Sequence, residues 1–148
     1  MTDSSNIIIN TDGGSRGNPG PAAIGVVFSS QNGELIHCHR ECIGEATNNQ
    51  AEYRAIIKAL EILLKSNWQK NNGEKSKITC YLDSMLVVEQ INGNYKVKNH
   101  DIKQYIEKLS KLIKEIGKPV DFVHIPRERN KQADKLVNQA LDENAEHK

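Results

Sequence analysis

The sequence is poor in cysteine and in aromatic residues, and it contains no long hydrophobic run. Its three cysteines, Cys38, Cys42 and Cys80, are an odd number, which predicts reduced thiols rather than a disulfide framework. No apolar stretch approaches the roughly 18 residues that a membrane-spanning helix needs, and no signal peptide is recognisable. We therefore expect a cytoplasmic protein that does not contact membranes.

An excess of charge of one sign is also missing. Lysine and arginine total 20 against 19 aspartates and glutamates, so the formal net charge of the 148 residues is only +1. Contact with nucleic acid must therefore come from a local basic patch rather than from the charge of the whole molecule. The length suits one domain, and we predict a single domain over residues 1–148 with flexible tails at residues 1–5 and 143–148.

The spacing of hydrophobic residues changes period along the chain and predicts both strands and helices. Strands are predicted at residues 6–12, 22–30, 34–43, 77–83 and 120–126. Helices are predicted at residues 48–65, 84–91, 101–116 and 130–142. The first three strands are joined by short turns, which is typical of an antiparallel meander. The order βββαβααβα predicts a mixed α/β fold with a partly antiparallel sheet.

Two of the predicted strands end in aspartate. Asp12 closes the first strand and Asp83 closes the fourth. If these strands are parallel neighbours, their ends meet at one edge of the sheet, where the sites of open α/β sheets form. Glu52 lies in the first turn of a helix, near its inward-facing apolar stripe, and Asp134 lies on the last helix between apolar neighbours.

Each of these carboxylates also has a simpler structural interpretation. An aspartate at a strand end commonly forms a turn, and a glutamate in a first helical turn commonly interacts with the helix dipole. Four acids that converge would instead repel one another and raise one another's pKa. A divalent cation relieves that repulsion, and ligands that are all oxygen favour a hard ion such as Mg²⁺ or Mn²⁺.

Four segments that contain these acids are similar to type 1 ribonucleases H, the enzymes that cut the RNA strand of RNA–DNA hybrids. The segments are TDGGSRGNPGPAAIGVV, TNNQAEYRAIIKALE, YLDSMLVVEQINGNYKVKN and PRERNKQADKLVNQA, and together they extend from about residue 10 to residue 140, nearly the length of the chain. The resemblance implies a ribonuclease H-like fold, with a five-stranded mixed sheet of three antiparallel and two parallel strands flanked by helices. It also implies a metal-binding catalytic quartet of Asp12, Glu52, Asp83 and Asp134.

The resemblance further implies hydrolysis of the RNA strand with two Mg²⁺ or Mn²⁺ ions per active site, leaving 5′-phosphate and 3′-hydroxyl ends. Asp12 would contact both ions, Glu52 and Asp83 would complete one site, and Asp134 would complete the other. The partner would be an RNA–DNA hybrid duplex, bound by a monomer. Two alternatives remain open at this point: additional activity on double-stranded RNA, and a hybrid-binding module without catalysis.

The same resemblance implies a set of residues that recognise the substrate. Side-chain amides and hydroxyls suit the 2′-hydroxyl groups of RNA, which both donate and accept hydrogen bonds. The substrate-binding candidates are Ser15, Asn18, Thr47, Asn48, Asn49 and Gln50. Asn18 alternatively belongs to a simple turn, and Thr47 is also a candidate helix N-cap.

The sequence departs from the family pattern in two places. Many members of the family bind the hybrid with a basic, tryptophan-containing insertion, and the link between the second and third predicted helices lacks one. Lys96 and Lys98 in this link are therefore candidates for binding the hybrid instead. The short loop before Asp134 lacks the histidine that is often found there. Arg127 occupies this loop and is predicted to assist product release or to position the phosphate, with a structural salt bridge as the alternative. Asn130 is predicted to cap the last helix or to orient a metal ligand.

Overall fold

The computed structural model describes residues 6–70 and 75–146, which form one five-stranded sheet with helices on both faces. The strands are β1 (Ile7–Ser15), β2 (Gly20–Ser30), β3 (Leu35–Ala46), β4 (Ile78–Leu82) and β5 (Val120–His124). The helices are α1 (Asn48–Lys65), α2 (Met85–Ile91), α3 (His100–Ile116) and α4 (Lys131–Glu146). Within these ranges, none of the helices combines the length and apolar character that a bilayer crossing requires.

The strand order is β3-β2-β1-β4-β5, with β1 at the centre of the sheet. β1, β2 and β3 form an antiparallel meander, whereas β4 runs parallel to β1 and β5 runs parallel to β4. The predicted mixed sheet and the predicted element order are therefore confirmed. Because β1 and β4 are parallel neighbours, the C-terminal ends of both strands lie at the same edge of the sheet.

The main hydrophobic core lies between one face of the sheet and helices α1 and α3. Alternation along the strands sends every second side chain to this face. The buried residues that meet there include Ile7, Ile9, Val26 and Phe28 from the strands, Tyr53, Ile56 and Leu60 from α1, and Leu109 and Leu112 from α3. On the opposite face, α4 packs Val137, Ala140 and Leu141 against Ala23 of β2.

Side-chain caps begin three of the helices within one residue of the predicted positions. The Thr47 side chain accepts a hydrogen bond from the Gln50 N–H, and the Gln50 side chain accepts one from the Thr47 N–H, which makes a capping box at the start of α1. The side chain of Ser84 caps α2 by accepting a hydrogen bond from the Val87 N–H, and the side chain of Asn99 caps α3 by accepting one from the Ile102 N–H. α3 ends at Gly117, whose φ of 73° is left-handed and suits glycine.

Several predicted boundaries are wrong: β2 begins at residue 20 rather than 22, β3 ends at residue 46 rather than 43, and β5 ends at residue 124 rather than 126. β1 continues past Asp12 to Ser15, because residues 13–15 pair with residues 22–24 of β2. α4 continues to Glu146, contrary to the prediction of a flexible tail from residue 143. In these last turns Asp142 forms an ion pair with Arg16 of the turn after β1, and Glu143 forms one with Arg40 of β3. The predicted tail at residues 1–5, together with residues 147–148, lies outside the described residues.

Gly13 lies at the closest approach between β1 and α1. A Cβ atom at this position would lie 2.3 Å from the carbonyl carbon of Ala51 and 2.6 Å from the backbone nitrogen of Glu52. These are backbone atoms, which cannot rotate away, so a side chain at residue 13 would have to displace α1. Glycine at this position therefore sets the distance between Asp12 on β1 and Glu52 on α1.

We predict that Gly13→Ala lowers the free energy of unfolding by about 1–3 kcal/mol, the usual cost of overpacking. Gly14→Ala is the matched control, because its Cβ would meet the Val137 Cγ1 at 3.5 Å, an ordinary van der Waals distance. Urea denaturation of the three proteins measures both changes. Equal stabilities of the two variants would contradict the close packing of α1 against β1.

Candidate active site

Four acidic side chains from four different elements meet at one end of the sheet. Asp12 lies on β1 two residues past the last β1–β4 pair, which joins Asn10 and Tyr81. Asp83 directly follows β4, Glu52 lies near the start of α1, and Asp134 lies in the first turn of α4. All four line one cleft of about 480 Å³. The structure thus brings together the whole predicted quartet, although its members are up to 122 residues apart in the sequence, from 12 to 134.

Three of the four acids are close enough to share a cation. One carboxylate oxygen from each of Asp12, Glu52 and Asp83 lies within 4.8 Å of the other two. Asp12 and Glu52 are each only 7% exposed, and Asp83 is half-buried. Asp134 is not a member of this close triad, but its negative charge acts on Asp12. Asp12 therefore interacts with each of the other three acids.

Burial among other acids raises the pKa of the two inner carboxyl groups. For Asp12, burial is the largest cause, the nearby carboxyl group of Glu52 opposes it, and the charges of Asp83 and Asp134 add to it, which brings the pKa to about 7. The pKa of Glu52 is raised well above its ordinary value, first by burial and then by the neighbouring charge of Asp12. Both groups are consequently held in an environment that disfavours their charged forms.

The Glu52 side chain has one oxygen with a weak partner and one with none. Oε1 accepts a long hydrogen bond of 3.5 Å from the backbone N–H of Gly13. Oε2 is buried and has no hydrogen-bond partner among the described residues. A buried carboxylate oxygen without a partner is costly, and a cation would remove that cost. The all-oxygen donor set, together with this unpartnered atom, fits a hard divalent ion.

A buried asparagine connects the site to the loop before α4. The Asn130 amide group donates hydrogen bonds to the Thr11 carbonyl oxygen at 2.8 Å and to Oδ2 of Asp83 at 3.2 Å. Its Oδ1 accepts a hydrogen bond from Nδ2 of Asn10 at 3.1 Å. The prediction that the Asn130 side chain caps α4 is wrong. The Asp134 N–H donates to the backbone carbonyl of Asn130 and not to its side chain. Its contacts match the other predicted role, which is to orient a carboxylate.

Asn10 is a residue of the site that sequence analysis misses. A polar residue inside a predicted strand carries no turn or capping signal. Its one sequence signal is its position two residues before Asp12, since residues two apart on a strand share a face.

The predicted substrate-binding residues lie in the turn between β1 and β2 and at the start of α1. Ser15, Asn48 and Asn49 line the same cleft as the acids. Oδ1 of Asn48 accepts the Ser15 N–H at 2.9 Å, and the Asn48 N–H donates to Oδ1 of Asn18 at 3.0 Å. These two bonds tie the turn to the N-terminus of α1. They use the amide oxygens, so the Nδ2 groups of Asn18 and Asn48 are left as donors.

Thr47 and Gln50 have a structural role in addition to the predicted one. They form the capping box of α1, and Nε2 of Gln50 also donates to Oδ2 of Asp101 at 3.4 Å. The second contact joins the N-terminus of α1 to that of α3. Any contact of these two residues with substrate would have to be made alongside these bonds.

Arg127 lies in the short 3₁₀ turn Arg127–Arg129 between β5 and α4, and it lines the cleft with the four acids. Its side chain is exposed. In the described part of the chain no carboxylate lies within ion-pair distance of its guanidinium group, which argues against the alternative of a structural salt bridge. Its place at the cleft suits an anionic group of a substrate or product.

Comparisons with known proteins give a consistent result. The sequence profile of the family described as reverse transcriptase-like matches residues 10–140. A bifunctional protein of Mycobacterium tuberculosis is 37% identical over 137 residues, which cover 92% of this chain and 35% of that protein. The chain thus spans about a third of the length of that curated relative. Ribonuclease HI of Halobacterium salinarum is 38% identical over 132 residues, which cover 89% of this chain and 62% of that protein.

Solved structures show the same similarity over the whole fold. LC11-RNase H1, isolated from compost by a metagenomic approach, superimposes with a TM-score of 0.87 and 44% sequence identity. The match covers 95% of this chain and 99% of that one. The structure of LC11-RNase H1 in complex with an RNA/DNA hybrid matches with a TM-score of 0.85.

We expect Asp12→Asn to stabilise the metal-free protein at pH 8 and to have little effect at pH 4. Because the pKa of Asp12 is about 7 in the folded protein and 3.8 is its ordinary value, the folded state holds this proton more tightly than the unfolded state does. The resulting stability is present below the ordinary pKa and is lost as the pH rises through about 7. Asparagine has no proton to lose, so the variant avoids a loss of about 2–4 kcal/mol.

Thermal denaturation in EDTA at pH 4, 6 and 8 measures this effect. Asp121→Asn, the same substitution at an exposed position on β5, is the control. A gain from Asp12→Asn that is as large at pH 4 as at pH 8 would contradict the account of mutual repulsion.

Proposed function

Since the chain belongs to the type 1 ribonuclease H family, we propose that it is a metal-dependent endoribonuclease that hydrolyses the RNA strand of RNA–DNA hybrids. The observation that carries this proposal is the convergence of Asp12, Glu52 and Asp83, with carboxylate oxygens within 4.8 Å of one another and Asp134 beside them. The structure of the similar LC11-RNase H1 in complex with an RNA/DNA hybrid supports the choice of substrate.

The four acids would hold two divalent ions, Mg²⁺ or Mn²⁺. Their donor atoms are all oxygens, and the unpartnered Oε2 of Glu52 marks a place where a positive charge would be stabilised. When bound, such ions supply the positive charge that lowers the pKa of water and stabilises the oxygen that departs from phosphorus. Asp12 interacts with Glu52, Asp83 and Asp134, so it is the acid best placed to serve both ions.

Other residues of the cleft would bind and orient the substrate. Arg127 offers a positive charge beside the acids and would position the phosphate or assist its release as product. Ser15, Asn18, Asn48 and Asn49 offer polar groups to the sugar edge of the duplex, where the 2′-hydroxyl distinguishes RNA from DNA. The bonds that join Asn18 and Asn48 to the protein hold their Nδ2 donors in fixed positions before substrate arrives.

Because one chain supplies all four acids, we propose that it acts as a single catalytic domain and as a monomer. We also propose that it acts in the cytoplasm. The exposed Lys96 and Lys98 lie in the link between α2 and α3. The Gln50–Asp101 contact holds the start of α3 next to the start of α1, so these lysines are candidates for contact with the duplex backbone. Products with 5′-phosphate and 3′-hydroxyl ends are expected.

We predict that the purified protein cuts the RNA strand of a hybrid when Mg²⁺ or Mn²⁺ is present and leaves it intact in EDTA. End-labelled RNA–DNA hybrid, double-stranded RNA and double-stranded DNA of one sequence are incubated in parallel, and the RNA ends are mapped. Tight hybrid binding without cleavage would overturn the proposal and favour a binding module without catalysis. Cleavage of double-stranded RNA at a comparable rate would extend the substrate range beyond hybrids.

A second prediction concerns Asp12→Asn, which we expect to slow hybrid cleavage by roughly 10²–10³-fold or more while hybrid binding survives. The loss follows because the central acid no longer attracts metal ions, whereas folding benefits from weaker repulsion among the acids. Single-turnover cleavage and fluorescence anisotropy measure the two properties separately. Asp121→Asn serves as the control, and near-normal turnover by Asp12→Asn would remove Asp12 from the mechanism.

A further inference from the structure

We propose that Asn10 is a positioning residue of the metal site, which fixes the amide of Asn130 and through it the carboxylate of Asp83. This inference rests on the proposed function, in that the acids are taken to bind divalent ions. It concerns a residue that touches none of the acids in the described contacts and acts through a chain of two hydrogen bonds, from Asn10 to Asn130 and from Asn130 to Asp83.

The backbone places Asn10 where it can reach the loop before α4. Asn10 and Asp12 are two residues apart on β1, so their side chains project from the same face of the sheet. That face carries α4, because a Cβ added to Gly25 of the neighbouring strand would collide with the Ala133 carbonyl oxygen of α4 at 2.4 Å. Asn10 is half-buried beneath the start of this helix, where Asn130 precedes it.

The surroundings of Asn130 determine which way its amide points. Asn130 is 1% exposed, and its NH₂ group faces two groups that can only accept: the Thr11 carbonyl and the Asp83 carboxylate. If the amide were flipped, its oxygen would face both of these acceptors. The oxygen must therefore point elsewhere, and Nδ2 of Asn10 at 3.1 Å is the donor that meets it.

Removing the Asn10 donor leaves the buried Oδ1 of Asn130 without this partner. A buried acceptor without a partner costs free energy, so the observed position of the Asn130 side chain becomes less favourable. The Asn130 amide is then held only from its NH₂ side, by Thr11 and Asp83, so its position is less well fixed, and so is the hydrogen bond that it donates to the Asp83 carboxylate. Substituting a residue that hydrogen-bonds to a metal ligand commonly lowers metal affinity by about 10–100-fold. Asn10 lies one contact further from the ligand, so we expect the lower end of that range.

The test compares Asn10→Leu with Asn6→Leu. Leucine approximates the shape of asparagine, but its side chain cannot donate a hydrogen bond. Asn6 is a matched control, because its Nδ2 donates to Gln31 at 2.9 Å and its Oδ1 accepts the Lys77 N–H at 2.9 Å, at the other end of β1 from the acids. We expect Asn10→Leu to weaken Mn²⁺ binding in calorimetry about tenfold and to raise the Mg²⁺ concentration for half-maximal hybrid cleavage to the same extent. Asn6→Leu should change neither quantity.

Nuclear magnetic resonance gives a readout that needs neither metal nor cleavage. In the unsubstituted protein, the side-chain amide protons of Asn10 and Asn130 should show a nuclear Overhauser effect and slow exchange with water. The Asn130 signals should shift and exchange faster in Asn10→Leu, and in Asn10→Ala if the leucine variant does not fold. Because this readout is independent of catalysis, failure of the unsubstituted protein to cut hybrids would overturn the proposed function and leave the test of Asn10 intact.

Absence of the Asn10–Asn130 Overhauser effect in the unsubstituted protein would overturn the inference. Equal Mn²⁺ affinities of the Asn10 and Asn6 variants would also overturn it, since they would assign Asn10 a merely structural role.

Discussion

Like charges that are buried side by side repel one another, and this repulsion is the constraint on which the rest of the structure depends. Asp12 and Glu52 are each 7% exposed, lie beside Asp83, and have raised pKa values because of burial and proximity. A flexible scaffold would relax by separating them. The fold resists this because the acids are fixed to a central strand, to a helix packed against that strand, and to the end of the adjacent parallel strand.

Two features of the fold set the geometry of the acids. The parallel pairing of β1 and β4 brings Asp12 and Asp83 to one edge of the sheet. Gly13 lets the backbone of α1 approach β1, which brings Glu52 over that edge. The polar groups around the acids then complete the site, with Asn130 bound to Asp83 and with the turn before β2 fastened to the start of α1. Rigidity around a repulsive cluster is what a preorganised cation site requires.

Local patterns in the sequence predict the elements of this fold better than they predict its boundaries. The period of the hydrophobic residues fixes the order of strands and helices, because burial of one face determines that period. The end of β1 depends on pairing with β2, and the last turns of α4 form ion pairs with Arg16 and Arg40. Neither partner is visible in the local sequence. Asp12 and Asp83 follow from the rule on strand ends, and Glu52 and Asp134 are candidates because of their positions on helices. The family resemblance then implies that all four form one site. Asn10 is found only in the structure, since its role arises from a contact 120 residues away.

The central claim is that the repulsion among these acids is resolved by divalent ions. X-ray diffraction from crystals grown with Mn²⁺, with anomalous difference density calculated at the manganese absorption edge, tests it most directly. The account predicts density between the carboxylates of Asp12, Glu52 and Asp83 and a second peak between Asp12 and Asp134. A well-ordered site with no manganese at millimolar concentration, or with manganese bound only elsewhere, would contradict it.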